Sequence, residues 1–312
     1  MAKKLYEETD IQAIANSIRG KCGTTCGYKV CDMAAAIDTI TTGGGGSGSN
    51  DYDTKILEKR LSGAYENTTV TKIADYMLSG NTGLTSASLP NVTTIGKYAF
   101  QGNTWMATCS IPKVTGVIGD YTFYNCKALQ SMNLNTVTSI GNYVFEGCEA
   151  LTTFVGNSVA YAGNYLFKNC KALTNVSLLA LKSISSYSFA YCAALTELVF
   201  PEVTTIANRG ECFYGCTNLA RMDFGKLASC SADAFCDLPA LSTLILRNTE
   251  SVLTVSQGTY YSQKVFSGTP IASGAGYIYV PSALVDAYKA DTNFSNYATQ
   301  IRAIEDYPEI CG

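Results

Sequence analysis

The chain has 312 residues, of which 47% are hydrophobic and only 15% are charged, and its net charge at neutral pH is −3. This composition excludes a disordered chain, because it supplies ample material for a continuous core. The acidic balance offers no basic surface that could neutralise a phosphate backbone, so we expect no nucleic-acid partner.

The sequence contains no histidine. This removes the side chain that most often serves as a general base or a metal ligand at neutral pH. No Ser-His-Asp set and no glycine-rich phosphate loop followed by a helix is found either. We therefore expect a protein that is not an enzyme and that has no catalytic residue, metal or cofactor. No apolar run reaches the ~20 residues of a membrane-spanning helix, and the first residues do not resemble a signal peptide, so we expect neither a membrane span nor export by that route.

Residues 1–42 are predicted to form a helical hairpin. Each arm carries apolar residues at helical spacing, which gives one apolar stripe per arm. The stripes consist of Ile11, Ile14 and Ile18 and of Met33, Ile37 and Ile40. Because a module of this size cannot stand alone, its stripes must be buried against copies of itself, the repeat domain or another protein. We interpret it as an anchor, and a homo-oligomer is one arrangement that would bury it.

Residues 43–51 are predicted to be a flexible linker, because 43–50 read Gly-Gly-Gly-Gly-Ser-Gly-Ser-Asn. The ends of such a tether lie roughly 15 Å apart as a random coil. A flexible linker of this kind is typical of a protein in which a binding domain is attached to a scaffold.

Residues 52–270 are predicted to be a repeat domain whose unit recurs every 22 to 24 residues as far as Phe235, whereas Phe266 follows 31 residues later. A phenylalanine marks the same position of each clean copy. These residues are Phe100, Phe123, Phe145, Phe167, Phe189, Phe213 and Phe235. Units that cannot bury an apolar face alone stack into a solenoid, which offers partners an extended surface.

Each unit also contains a predicted short strand whose first residue is a leucine or methionine. These first residues are Leu84, Met106, Leu129, Leu151, Leu173, Leu195, Leu219 and Leu241. Alternation with period two points one strand face into the core. The outward positions are small or polar in the early turns, such as Ser131 and Asn133. They become chemically richer later, for example at Asp223 and Ile245.

Residues 271–312 are predicted to close the array as a C-terminal cap. Ile278-Tyr-Val280 is expected to be the last strand. A helix is expected to begin at Pro281-Ser282 and to continue through Tyr288.

At these residues the chain resembles the BspA-like, Treponema-type leucine-rich repeat family. Residues 126–145 match its unit, with Asn135 in place of a proline. The resemblance implies an α/β-type solenoid of 22–24-residue repeats, with short strands on one side and irregular or short helical segments on the convex side. The N-terminal stretch from Ile11 to Ile37 is similar to a short module that opens many phage and prophage structural proteins, which implies attachment to a virion.

Three groups of side chains are candidate sites. Cys126, Cys148, Cys170, Cys192 and Cys216 share one position of five successive turns. They would form either a metal or redox ladder or a column of buried small residues whose thiols meet loop backbone, and we favour the buried column, because the same position also accepts Asn, Thr and Leu. The second group is Cys22, Cys26 and Cys31, which lack the fourth ligand of a structural zinc site, so we expect no metal there unless an assembly brings several copies together.

The third group is a tyrosine at one position of six successive turns, which is the main candidate binding site. Its members are Tyr76, Tyr98, Tyr121, Tyr143, Tyr165 and Tyr187. Stacked phenols could bind glycan rings through apolar contact and hydroxyl hydrogen bonds, or they could cover the convex side as structural residues. Trp105, the single tryptophan, is a lone candidate for a binding hot spot.

Two functions follow from these features. The first is a virion component of a phage or prophage, of the tail or head fibre or decoration type. Its N-terminal module would dock to virion proteins, and its repeats would contact a bacterial surface glycan or protein. The second is an adhesin on a bacterial cell surface that binds proteins of a host or of neighbouring cells.

Overall fold

The structure is a computed structural model that describes Lys59 and residues 61–207, 211–256 and 265–311. All of these belong to one compact unit, Asn50–Gly312. The predicted hairpin and linker lie outside the described residues. So do the anchor residues Ile11, Ile14, Ile18, Met33, Ile37 and Ile40 and the cysteines Cys22, Cys26 and Cys31.

The described chain is a parallel β-solenoid of about ten turns, as expected. A typical turn contributes two short strands, which we call A and B. The A strands are β1 (Ser62–Glu66), β3 (Gly83–Ser88), β5 (Thr108–Ser110), β7 (Ser131–Asn133), β9 (Thr153–Val155), β11 (Asn175–Ser177), β13 (Glu197–Phe200), β15 (Arg221–Phe224), β17 (Thr243–Leu246), β19 (Tyr277–Val280) and β20 (Ile301–Ala303).

The B strands lie on the other side of the core, and the repeat pattern had not revealed them as strands. They are β2 (Lys72–Ile73), β4 (Thr94–Ile95), β6 (Gly116–Ile118), β8 (Val137–Ile140), β10 (Tyr161–Ala162), β12 (Ser183–Ile184), β14 (Thr205–Ile206), β16 (Ser229–Ser231) and β18 (Thr254–Ser256). Most are only two or three residues long, which is too short for alternation to show in the sequence.

Each strand pairs in parallel with the equivalent strand of a neighbouring turn, and the pairing is interrupted between β5 and β7, between β10 and β12 and between β11 and β13. The A strands form sheets in the order β1-β3-β5, β7-β9-β11 and β13-β15-β17-β19-β20, and the B strands form sheets β2-β4-β6-β8-β10 and β12-β14-β16-β18. The register is that of the repeat, since Ser131 pairs with Thr153 and Thr153 with Asn175. Equivalent residues of successive turns therefore lie in columns, ~4.8 Å apart.

The core lies between the two sets of sheets. The repeated phenylalanines are fully buried, and where their rings meet the centroids are 5.1 to 5.7 Å apart. The prediction that they form the core is confirmed. Burying each of these side chains contributes roughly 1.5–3 kcal/mol.

The A strands begin later than predicted in several turns. The strand after Leu129 starts at Ser131, because the Leu129 amide donates to the Cys126 carbonyl, 3.1 Å away, and so closes a local turn. The same bond joins Leu151 to Cys148. These leucines are buried as expected, but their amides are not part of the strand ladder.

The C-terminal segment extends beyond the predicted last strand. β20 pairs with β19, so Ile278-Tyr-Val280 is not the end of the sheet. The predicted helix is present as a 3-10 turn, Ser282–Leu284, followed by α1 (Val285–Ala290). Two more 3-10 segments, Ser295–Gln300 and Ile304–Asp306, and a last short helix, α2 (Pro308–Cys311), complete the chain.

This segment changes the outward surface of the late A strands. Ile245 is fully buried in a cluster with Tyr279, Ile304 and Ile310, and Tyr307 packs against the cluster. The expectation that Ile245 faces solvent is therefore wrong, because the tail folds back over it.

An ionic network closes the same region. Asp223 is buried, and it accepts hydrogen bonds from Arg221 Nη2 at 2.9 Å and from Arg247 Nε at 2.8 Å. Arg247 Nη2 also donates to the Ile310 carbonyl at 2.6 Å. Asp223 was likewise expected to face outward, and it is covered because its carboxylate joins the A strands to the tail.

Candidate functional site

The six predicted tyrosines form one continuous column, which we call the tyrosine column. Neighbouring ring centroids are 4.5 to 4.8 Å apart and the ring planes differ by 2° to 10°. The spacing is that of the stacked turns, so each ring lies directly on the ring of the next turn. All six side chains are half-buried.

The backbone of the tyrosine column is in the left-handed region. The φ angles of the six tyrosines are between 57° and 60°. A side chain in this region costs ~1–2 kcal/mol, because its Cβ approaches the following carbonyl oxygen. Ring stacking, which contributes about 0.5–1.5 kcal/mol per pair beyond burial, offsets this strain.

Polar residues directly before the tyrosines hold the strained turn. Asp120 Oδ1 accepts the Asn142 amide at 2.9 Å, and Asn142 Oδ1 accepts the Asn164 amide at 2.9 Å. The tyrosine amides donate to carbonyls of the next turn, as Tyr143 does to Asn164 at 2.9 Å. Donors that the turn leaves unpaired within one repeat are thus paired by the next.

This geometry restricts what the tyrosine column can bind. The inner ring faces contact each other, so they are not available to a sugar ring. What remains accessible is the row of ring edges and hydroxyls. Burial, followed by the neighbouring Tyr143 and Tyr98, raises the pKa of Tyr121 to about 12, so this phenol stays protonated at neutral pH. A role for the tyrosine column in glycan binding stays a prediction, limited to its edges.

Trp105 lies outside the tyrosine column and is far more exposed. Its side chain is 69% exposed, and it precedes β5 by three residues. In the neighbouring turns the same position holds Gly83 and Ala128. Neither neighbour carries a side chain larger than a methyl group, so the indole stands clear of the turns on both sides.

The outward positions of β3, β5, β7, β9 and β11 form two columns of accessible side chains, which we call the A-face strip. The first column is Ser86, Thr108, Ser131, Thr153 and Asn175. The second column is Ser88, Ser110, Asn133, Val155 and Ser177. None of these ten residues is buried, as the alternation predicts. The A-face strip is therefore a surface of hydroxyls and amides that five turns share.

Sequence reasoning missed two exposed apolar side chains on the B strands. Val117 and Tyr161 are 60% and 64% exposed and both pair with Ser139, one on each side. The signal was available, since most turns have a small or polar residue at this position. This change of side chain does not point to a strand surface by itself, because strands of two or three residues are too short to be predicted from alternation.

The comparisons with known proteins agree with this architecture. The model of the BspA type leucine-rich repeat region matches six copies in residues 60–174 and 182–273. The chain belongs to this family. A solved leucine-rich repeat protein from Bacteroides ovatus has the same fold, with a TM-score of 0.51 and 19% identity over 79% of this chain and 72% of that one.

Two other solved structures resemble this BspA-type protein over part of its length. The leucine-rich repeat protein of T. pallidum is 28% identical over 52% of this chain and 79% of that one, with a TM-score of 0.47. A leucine-rich cell surface protein from Faecalibacterium prausnitzii is 19% identical over 69% of this chain and 65% of that one, with a TM-score of 0.34. No curated protein matches the sequence.

The cysteine column of this BspA-type array is structural. Each thiol donates to the phenylalanine carbonyl of the turn before, as Cys148 Sγ does to Phe123 at 3.2 Å and Cys170 Sγ to Phe145 at 3.1 Å. At the start of the array Asn103 makes the equivalent bond, from Nδ2 to the Leu78 carbonyl at 2.9 Å. The interpretation of a buried small residue whose thiol meets loop backbone is confirmed.

Neither a metal cluster nor a membrane span emerges from the part of the BspA-type chain that the structure describes. Within those residues no group of three or more acidic or cysteine side chains is arranged to hold a metal ion. In the same ranges, no helix is both long and apolar enough to cross a membrane.

We expect substitutions of Tyr143 to separate stacking from backbone strain. Tyr143→Ala should lower the free energy of unfolding by about 2–3 kcal/mol, because two stacked contacts are lost. Tyr143→Gly should cost roughly 1 kcal/mol less than alanine, because glycine adopts positive φ freely. Denaturant unfolding measures both. Tyr161→Ala, an exposed aromatic outside the tyrosine column, is the control, with a change below about 0.5 kcal/mol. A glycine variant no more stable than the alanine variant would contradict the strain.

We also expect the column cysteines to resist alkylation in the folded protein. Burial raises the pKa of Cys216 to about 12 and that of Cys148 well above its usual range. A raised pKa lowers the thiolate fraction at pH 8, and only the thiolate reacts. Mass spectrometry after N-ethylmaleimide treatment should find both unmodified until denaturant is added. Labelling at the same rate with and without denaturant would mean that the thiols are accessible.

Proposed function

We propose that this BspA-type protein is a non-enzymatic binding component of a phage or prophage virion. Its N-terminal module would dock to the particle, and its repeat domain would contact a glycan or protein on a bacterial surface. The family supports the general part of this proposal, since proteins of this type are typically binding proteins without enzymatic activity.

The A-face strip is the observation that carries the binding role. It is accessible across five successive turns, and parallel strand pairing supports it from β3 to β5 and from β7 to β11. A solenoid presents such a surface to extended partners, because equivalent positions recur at a fixed spacing. The tail leaves the strip accessible, since it covers the outward positions only near β15 to β19.

The virion role rests on residues 1–51. The hairpin pattern resembles modules of phage structural proteins, and the glycine-serine linker separates it from the repeats. A flexible tether gives a binding domain reach from a fixed scaffold. This combination favours a particle-attached receptor-binding protein over a longer solenoid.

The binding role predicts that a bulky charge on the A-face strip will block attachment to cells. The protein carrying Ser131→Arg should bind intact cells of the strain that carries the gene, or of the phage host, at least about tenfold more weakly, because the side chain stands in the middle of the strip. Thr94→Arg, an exposed position on β4, is the matched control and should bind as the unaltered protein does. Equal binding by both variants would rule out the A face as the binding surface.

The virion role predicts that the protein co-purifies with particles through residues 1–42. Particles induced from the source strain should contain the full-length chain, and deletion of residues 1–42 should remove it from them. Circular dichroism of the truncated protein checks that the repeats remain folded. Particles without the chain, together with the chain on the bacterial cell surface, would favour the adhesin instead.

A further inference from the structure

We infer that the A-face strip, with Trp105 at its edge, binds a neutral polysaccharide chain. This inference rests on the proposed binding role of the A face and names the chemical class of its ligand. The argument comes from the charge, the size and the neighbours of the residues involved.

The chemistry of the A-face strip is that of a neutral polar ligand. None of its ten side chains is charged, and nine of them carry a hydroxyl or an amide. Hydroxyls and amides both donate and accept hydrogen bonds, which matches the hydroxyl groups of sugars. An anionic polymer would find no cation on the strip, and Lys127 and Lys171, in the loops before β7 and β11, are both paired with Glu149. Electrostatic attraction therefore does not favour an anionic polymer there.

Charged side chains of the A face lie on both sides of the strip. Before it, the exposed Glu66 of β1 pairs with Ser88, and after it a group of charges lies in the turns that follow β11. Glu197 pairs with Arg221 at 2.7 Å, and Arg221 and Arg247 both bind Asp223. These side chains form ion pairs with one another, and Arg247 also donates a hydrogen bond to the Ile310 carbonyl of the tail. The neutral outward positions therefore extend from β3 to β11, with charged positions on β1 and from β13 onward.

The A-face strip also lacks the anchors of a protein interface. Protein-protein hot spots are enriched in Trp, Tyr and Arg that fill pockets on the partner, whereas Val155 is the sole apolar side chain among the ten residues. Small side chains leave a shallow, even surface that is roughly 20 Å long across five strands. An extended chain with regularly spaced hydroxyls fits such a surface better than a folded protein does.

Trp105 supplies the apolar contact that sugar rings need. It is 69% exposed, and the small neighbours Gly83 and Ala128 leave room beside the indole. It precedes Thr108 by three residues, so its backbone lies within about 10 Å of the strip. The tyrosine column cannot take this role with its ring faces, because those faces stack on one another.

The single tryptophan makes the proposal directly measurable. The probes are cell-wall and capsular polysaccharides from the same strain, treated with protease and separated by anion exchange into neutral and anionic fractions. Titration of the full-length protein with the neutral fraction should shift the Trp105 emission to shorter wavelength, because the indole leaves water. Trp105→Ala should weaken binding at least about tenfold in calorimetry, and Ser131→Arg should abolish it.

Tyr161→Ala is the matched control, since Tyr161 is an equally exposed aromatic on the B side. It should change the affinity by less than about twofold. Binding to the anionic fraction alone would overturn the proposal, as would neutral-fraction binding that leaves the Trp105 emission unchanged. Loss of cell attachment after protease treatment of the cells would also overturn it. If Ser131→Arg still weakened attachment to untreated cells in these cases, the binding role of the A face would stand without the glycan.

Discussion

The register between successive turns is the constraint on which the rest of this structure depends. Within each sheet a strand pairs with the equivalent strand of the adjacent turn, so a residue type that recurs at one position of the repeat forms a column in space. A shift of one residue would move core side chains to the surface in every turn at once. The strand register must therefore be kept from turn to turn, and the nearly constant spacing of the phenylalanines reflects that requirement.

Columns of like side chains offset backbone strain and pair buried carbonyl groups that a single repeat would leave strained or unpaired. The tyrosine turn is strained at positive φ, and the rings of adjacent turns stabilise it. The buried phenylalanine carbonyls need donors, and the cysteine of the next turn supplies one. The same thiols would be reactive if exposed, but burial raises their pKa and keeps them protonated. The tyrosine rings and cysteine thiols, which as columns resemble a binding or redox site, therefore stabilise the fold.

A binding function therefore falls to the surface positions whose side chains can differ from turn to turn without changing the core. The outward residues of β3, β5, β7, β9 and β11 vary among Ser, Thr, Asn and Val without disturbing the core, and Trp105 stands where adjacent turns have glycine and alanine. The tail limits this surface at one end, through Arg247 and the Ile310 carbonyl. One solenoid can therefore present the neutral A-face strip on β3 to β11 and, in later turns, a charged surface that the C-terminal tail covers.

The sequence by itself determined the solenoid, its period, the buried phenylalanines and leucines, and the inward and outward sides of the early A strands. These follow from spacing alone, because a regularly repeated apolar residue must occupy a repeated environment. Tertiary structure decided which tyrosine surface stays accessible, since that depends on rings 22 residues apart lying face to face. It also decided that Asp223 and Ile245 are covered, because Arg247 and Ile310 are 63 residues apart in sequence and no local pattern records that contact.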